Sequence, residues 1–256
     1  MARRNAVALL GVAVVVRGLL AAAHSGPSIS PDSTSYIGMA RGLFHLGSSG
    51  YVGLRTPGYP LTLKVFAVDL TAVWFAQAAL GIASCLLVYW CVLRLTGRPG
   101  LALGTGLVLT LGFDALFFET EILTETLMLF LVTAAMATFL QLLSRSRLWP
   151  WALLLGVLSG CAALTRPETA ILVIVWPAAW LLLRPPGDRT RAIGRRLATV
   201  GALVVPGVVM VGAWSAVNAS LVGQFSPTTL SGLNLVDHLG SSVSLAPARY
   251  ATVRDI

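Results

Sequence analysis

Ser30-Pro31-Asp32-Ser33-Thr34-Ser35-Tyr36 and Leu54-Arg55-Thr56-Pro57-Gly58-Tyr59-Pro60 lie in a polar island, residues 24–69, between two nearly unbroken apolar runs. A polar loop of this length beside such runs is usually functional rather than a connector. Its flanks decide the fold class. Hydrophobic residue types make up 56% of the 256 residues and charged types 11%, and the mean hydropathy is +0.82. A soluble domain carries about 25% charged residues. So few charges cannot cover a water-exposed surface of this size, and the chain reads as an integral membrane protein.

Crossing the hydrocarbon takes about 20 apolar residues in a helix. Runs of about that length cover residues 5–23, 72–93, 101–118, 122–143, 148–164, 169–183 and 197–217. The expectation is an all-α polytopic bundle of about seven transmembrane helices, two of them short enough to be tilted, broken or re-entrant. Ala21-Ala22-Ala23 followed by His24-Ser25 also looks like a signal-peptidase site. However, the preceding run exceeds the usual ~7–15 residues of a signal core and Arg17 interrupts it, so the first run reads as a helix that stays.

Charge orients the bundle. Alternate connections are basic: Arg3 and Arg4; Arg94 and Arg98; Arg145 and Arg147; then Arg184, Arg189, Arg191, Arg195 and Arg196. The positive-inside rule assigns these, and the N-terminus, to the cytoplasm. Of the ten acidic residues only Asp188 falls in a basic connection. The other face then holds the 24–69 loop, the Glu119–Glu125 cluster, the turn around Arg166 and the tail, residues 218–256. Carboxylates gathered on one face require a separate explanation, and a reaction centre is one. The net charge of +8 follows from the basic loops and needs no nucleic-acid partner. Cys85, Cys91 and Cys161 sit inside apolar runs without CxxC spacing and read as small core residues, not as a metal site.

Several side chains have two readings each. Ser30-Pro31-Asp32 is a good helix start, with Ser at the N-cap, Pro at N1 and an acid in the first turn. Tyr36, Ala40, Leu43 and Phe44 continue at helical spacing as a short amphipathic juxtamembrane helix. Asp32 either caps that helix or faces a cavity. Arg55 and Tyr59, in a segment stiffened by Pro57 and Pro60, either grip phosphate or anchor the chain at the lipid interface. Glu119, Glu121 and Glu125 stand where a spanning run begins. Glu121 and Glu125, four apart, would share a helix face. Glu125 lies inside the run, where an ionisable group is costly and marks a site by default. Arg166 sits on the face where positive charge is scarce, paired with Glu168 or holding an anion. Arg17, near the outer end of the first helix, either snorkels or joins the site.

The order and spacing of these motifs resemble the GT-C membrane glycosyltransferases. Within them the pattern looks like bacterial relatives of the dolichyl-phosphate-mannose–protein mannosyltransferases and aminoarabinose transferases. Further matches are Ile122-Leu123-Thr124-Glu125, Gly156…Gly160…Thr165-Arg166-Pro167, Trp214…Asn218 and Gly232-Leu233-Asn234-Leu235. The resemblance implies one GT-C-like transmembrane domain over residues 1–256, with residues 24–69 as the catalytic loop and the domain incomplete at its C-terminal end. It implies an inverting transferase in the plasma (inner) membrane, moving a mannose-like sugar from a polyprenyl-phosphate-linked donor to a protein, lipid or glycan acceptor on the extracytoplasmic face. Asp32 would be the general base, Arg55 and Arg166 would neutralise the departing lipid phosphate, and Glu125 with Glu121 would orient acceptor or sugar. Tyr36, Tyr59, Glu119 and Arg17 would line the same site. No cofactor is required by the pattern, and a divalent metal is compatible with it. The rival classes are a transporter or flippase for lipid-linked sugars, which needs the arginines but no base, and a non-catalytic membrane subunit.

Overall fold

The computed structural model describes residues 1–48, 50–144, 148–183 and 189–230. Among these the chain is all-α. Its helices are α1 (Ala2–Ala23), α2 (Pro31–Gly42), α3 (Gly58–Val65), α4 (Leu70–Thr96), α5 (Pro99–Leu111), α6 (Phe113–Thr120), α7 (Glu125–Ser144), α8 (Trp149–Thr165), α9 (Leu172–Leu183) and α10 (Arg189–Val222). The connections at 145–147 and 184–188, with Arg145, Arg147, Arg184 and Asp188, lie outside the described residues. So does the tail beyond Leu230, with Gly232-Leu233-Asn234-Leu235.

Each of the seven apolar runs is mostly helical, but not every run is one spanning helix. By length and composition α1, α4, α7 and residues 193–222 of α10 can cross a membrane. The run at 101–118 is two helices, α5 and α6, bent by 47° around Gly112, and counted together they make a fifth crossing. α8 and the segment Pro167–Leu183 are apolar but shorter. The expected count of seven is thus four or five by this measure. The breaks have local causes. Gly112 takes an extended conformation between the two helices. Pro167 follows α8 and cannot continue it, and α9 carries Pro177 within it.

Capping sets the register of the helix that follows the polar loop. The Asp69 carboxylate accepts from Thr71 N at 3.0 Å and Ala72 N at 3.1 Å, starting α4. Gly97 ends it at φ 66°, with its N–H donating to Leu93 O at 2.9 Å. At that end Tyr89 OH donates to Ala2 O and Asn5 Nδ2 to Pro99 O. Arg3, Arg4, Arg94 and Arg98 therefore share one end of the bundle. The loop after α1 and the start of α4 lie at the other.

α8 and α10 meet through glycines. A Cβ on Gly156 would sit 2.6 Å from Ala202 O, and one on Gly160 would sit 2.6 Å from Met210 Sδ. Small residues at this spacing let membrane helices approach closely. A core of Phe139, Leu142, Leu155, Trp180 and Leu203 joins α7 to α10. A second core of Tyr36, Ile37, Ala40, Tyr59, Leu63, Val73 and Ile122 seats α2 and α3 on α4 and on the residues before α7. The apolar face of α2 is thus taken up by protein, while Phe44, beyond the helix, is exposed.

Candidate active site

The start of α2 is capped by serines. Ser30 N donates to Ser33 Oγ at 3.0 Å, and the two hydroxyls lie 2.9 Å apart. Asp32 is therefore not needed as the cap. Its carboxylate accepts from Arg55 Nη2 at 2.5 Å instead, and its side chain is 65% exposed. Arg55 is held along its whole head. Nε donates to Ser35 Oγ at 2.9 Å and Nη1 to Tyr36 OH at 3.1 Å, and the guanidinium carbon lies 4.5 Å from the Tyr36 ring centre. Burial raises the Tyr36 phenol's pKa against the opposing pull of the Arg55 charge, so the phenol stays neutral and keeps its proton.

The backbone of Arg55 is tied to α10. Tyr51 Oη lies 3.1 Å from Arg55 O and 2.9 Å from Asn218 Oδ1, its single proton serving one acceptor at a time. Burial pushes the Tyr51 phenol up to about 12 against the lowering effect of Asn218. Asn218 Nδ2 donates to Ser226 O, Thr228 Oγ1 to Leu54 O, and Thr229 N to Gly53 O. The segment after α10 is thereby laid over the first loop.

The second acid–base couple comes from the other side. Glu125 is the first residue of α7, and its Oε1 accepts from Arg166 Nη1 at 2.8 Å. Arg166 caps the end of α8 in an extended conformation, with Nε 3.9 Å from Glu168 Oε2. The Arg166 and Glu125 side chains are 42% and 29% exposed. Thr124 Oγ1 donates to Glu125 Oε2 at 3.4 Å, and its residue lines the cavity between this couple and Tyr36. Asp32, Tyr36, Arg55, Thr124, Glu125, Arg166 and Glu168 line one cavity of about 670 Å³, closed on one side by residues 226–228 and Leu230. Among the described residues no group of three or more His, Cys, Asp or Glu side chains is placed to hold a metal ion.

The remaining expected site residues fall elsewhere. Residues 121–124 are not helical, so the shared helix face of Glu121 and Glu125 does not exist. Glu121 is extended at the end of α6, with its side chain buried and outside the cavity lining. The broken backbone is satisfied from two sides. Ser28 N donates to Thr120 O and Ile122 N to Ser28 O. Gln77 Nε2 donates to Glu119 O at 3.0 Å and Glu121 O at 2.8 Å. Tyr59 OH donates to Gln77 Oε1 at 2.6 Å, and its ring meets Tyr36 edge-on, so it props the site from behind. Burial drives its phenol pKa far up. Glu119 is buried in the last turn of α6, and Arg17 does not snorkel. Arg17 Nε and Nη2 grip the two Glu119 oxygens at 2.8 and 2.5 Å, with side chains 5% and 2% exposed. Gln77 and Asn218 were absent from the expected site residues. Gln77 had a readable signal, a lone amide inside an apolar run.

Residues 56–223 match the family model described as dolichyl-phosphate-mannose-protein mannosyltransferase. No curated protein and no solved structure matches the chain. The match begins just after Arg55 and takes in Glu125, Arg166 and Asn218, so one wall of the cavity lies inside it and Asp32, Tyr36 and Arg55 rest on geometry. It covers well over half of the 256 residues, and the chain belongs to this family of membrane glycosyltransferases, which use a lipid-linked sugar.

Proposed function

We propose that the cavity transfers a sugar, with inversion, from a polyprenyl-phosphate-linked donor to an acceptor hydroxyl on the extracytoplasmic face of the inner membrane. The observation that carries this is the meeting of Asp32, Arg55, Glu125 and Arg166 in one cavity, from elements far apart in the chain. The acceptor oxygen attacks the anomeric carbon while the Asp32 carboxylate takes its proton. The bond from that carbon to the phosphate oxygen breaks, and the lipid phosphate leaves with the electron pair. Arg55 and Arg166 offset the charge growing on it through their forked donors. Glu125, at the head of α7, orients the acceptor or the sugar. Glu121, Glu119, Arg17 and Tyr59 have no direct part in this scheme, because they do not line the cavity.

Arg3, Arg4, Arg94 and Arg98 at one end of the bundle and the polar loop at the other support a cytoplasmic N-terminus and an outward-facing site. Reporter fusions after Arg98 and Arg196 are expected in the cytoplasm, and fusions near Ser48 and Gln224 on the opposite side. A cytoplasmic signal near Ser48 would contradict the outward-facing site. The activity itself is tested by sugar release from a polyprenyl-phosphate-linked donor in membranes carrying the full chain. Arg166→Ala at normal protein level is expected to lower donor use about tenfold or more. Wild-type donor use in that variant would remove Arg166 from the site.

A further inference from the structure

The charged side chains lining the cavity do not sum to a ready-made anion site. Among the described residues they are two guanidinium groups, Arg55 and Arg166, against three carboxylates, Asp32, Glu125 and Glu168. That is a net charge of −1, and each guanidinium is already engaged by a carboxylate, at 2.5 Å for Arg55 and 2.8 Å for Arg166. A phosphate entering this space meets repulsion and occupied donors together. The two halves of the Arg55–Asp32 couple are unequally fixed. Arg55 is anchored by Ser35 Oγ, by Tyr36 OH and by the Tyr36 ring, and is 16% exposed. Asp32 is on the first turn of its helix, 65% exposed, and the serine cap does not use it. The guanidinium is the stationary member of the couple and the carboxylate the movable one.

We propose that the donor enters by exchange: its phosphate takes the guanidinium groups of Arg55 and Arg166 from Asp32 and Glu125, and the Asp32 carboxylate so released is the one that meets the acceptor hydroxyl. Asp32 and Glu125 are therefore internal competitors of the phosphate as well as members of the site, and donor must bind before acceptor. The inference rests on the reading of the cavity as the transfer site. The physical basis is that an anion binds only the fraction of molecules whose arginines are free, so its apparent affinity is lowered by that fraction. The guanidinium fork matches the paired oxygens of carboxylate and phosphate alike, but each couple here is a single hydrogen bond, so a phosphate engaging two donors gains the better geometry.

The probe is a polyprenyl monophosphate, the leaving lipid, titrated onto the purified full chain in detergent micelles. Asp32→Asn and Glu125→Gln are each expected to bind it about three- to tenfold more tightly than wild type, the scale of a half-exposed ion pair. Glu168→Gln is expected to gain less, because its oxygen is 3.9 Å from Arg166. Arg55→Ala and Arg166→Ala are expected to lose about tenfold or more. If the arginine variants weaken binding but the carboxylate variants do not tighten it, exchange is wrong and the phosphate site stands. If the arginine variants bind as wild type does, the phosphate reading falls and exchange falls with it. Initial rates of the wild-type protein give a test independent of any variant. Compulsory order with donor first is expected, and random order overturns the proposal.

Discussion

Arg17–Glu119 and Arg55–Asp32 are the same chemical couple at the same 2.5 Å, set in opposite surroundings. The first is buried between α1, α4 and α6 beside a mostly apolar pocket, with both guanidinium edges used and almost no exposure. Even the backbone is shaped to it, since a Cβ on Gly81 would overlap the Glu119 carboxylate and come within 2.9 Å of Arg17 Nη2. The second, like Glu125–Arg166, opens onto a cavity, and its carboxylate is 65% exposed against 29% for Glu125. A buried pair has no alternative partner, so it can only hold helices in register. An open pair can trade one partner for another. Ion pairing alone therefore says little about function here, and access says most.

Breaking the buried couple carries the largest expected effect. Arg17→Ala or Glu119→Ala leaves one charge buried and unpaired, at a cost of about 3–5 kcal/mol. Thermal unfolding in detergent is expected to show that loss, and wild-type stability in either variant would overturn the structural role. Gly81→Ala crowds the same carboxylate and is expected to destabilise by about 1–3 kcal/mol, by the same measurement. The open couples behave in the reverse way. Arg55→Ala is expected to melt close to wild type but use donor poorly, and Arg55→Lys to recover part of that use, because the ammonium lacks the fork. Equal donor use in Arg55→Ala and wild type would erase the contrast. The smallest effect belongs to Tyr51→Phe, which removes the hydroxyl between Arg55 O and Asn218 Oδ1. A loss of about 0.5–1.5 kcal/mol is expected, seen as a few-fold rise in KM for donor with kcat little changed. A fall in kcat alone would show that the link does not serve Arg55.

Much of this contrast was legible in the residue order. The apolar runs announced the bundle, and Ser30-Pro31 announced the start of α2. Asp32 and Arg55 were readable as charges in a long polar loop, Arg166 as a cation on the face where positive charge is scarce, and Glu125 as an acid inside an apolar run. The partners were not readable, because the couples join residues 23 and 41 positions apart, with helices between the latter. Nor were the breaks at Gly112, which lies inside an apolar run, and at residues 121–124, where the acids stand at helical spacing. That spacing of Glu121 and Glu125 misled. Ser28 and Gln77 supply the hydrogen bonds that let the backbone leave the helix there, and both come from other parts of the chain.

The central claim, that the open cavity carries out the transfer, rests most directly on Asp32. Asp32→Asn keeps the shape of the side chain, and the serine cap beside it is untouched, so the variant is expected to reach the membrane at the wild-type level. It lacks the carboxylate proposed to take the acceptor's proton. Sugar transfer from a polyprenyl-phosphate-linked donor, normalised to protein level, is expected to fall by about 10²–10⁴-fold. Asp32→Glu, which shifts the carboxylate by one methylene, is expected to lie between the two. Unimpaired transfer by Asp32→Asn would contradict the account, because the arginines would then hold a lipid phosphate in a site that does no proton chemistry.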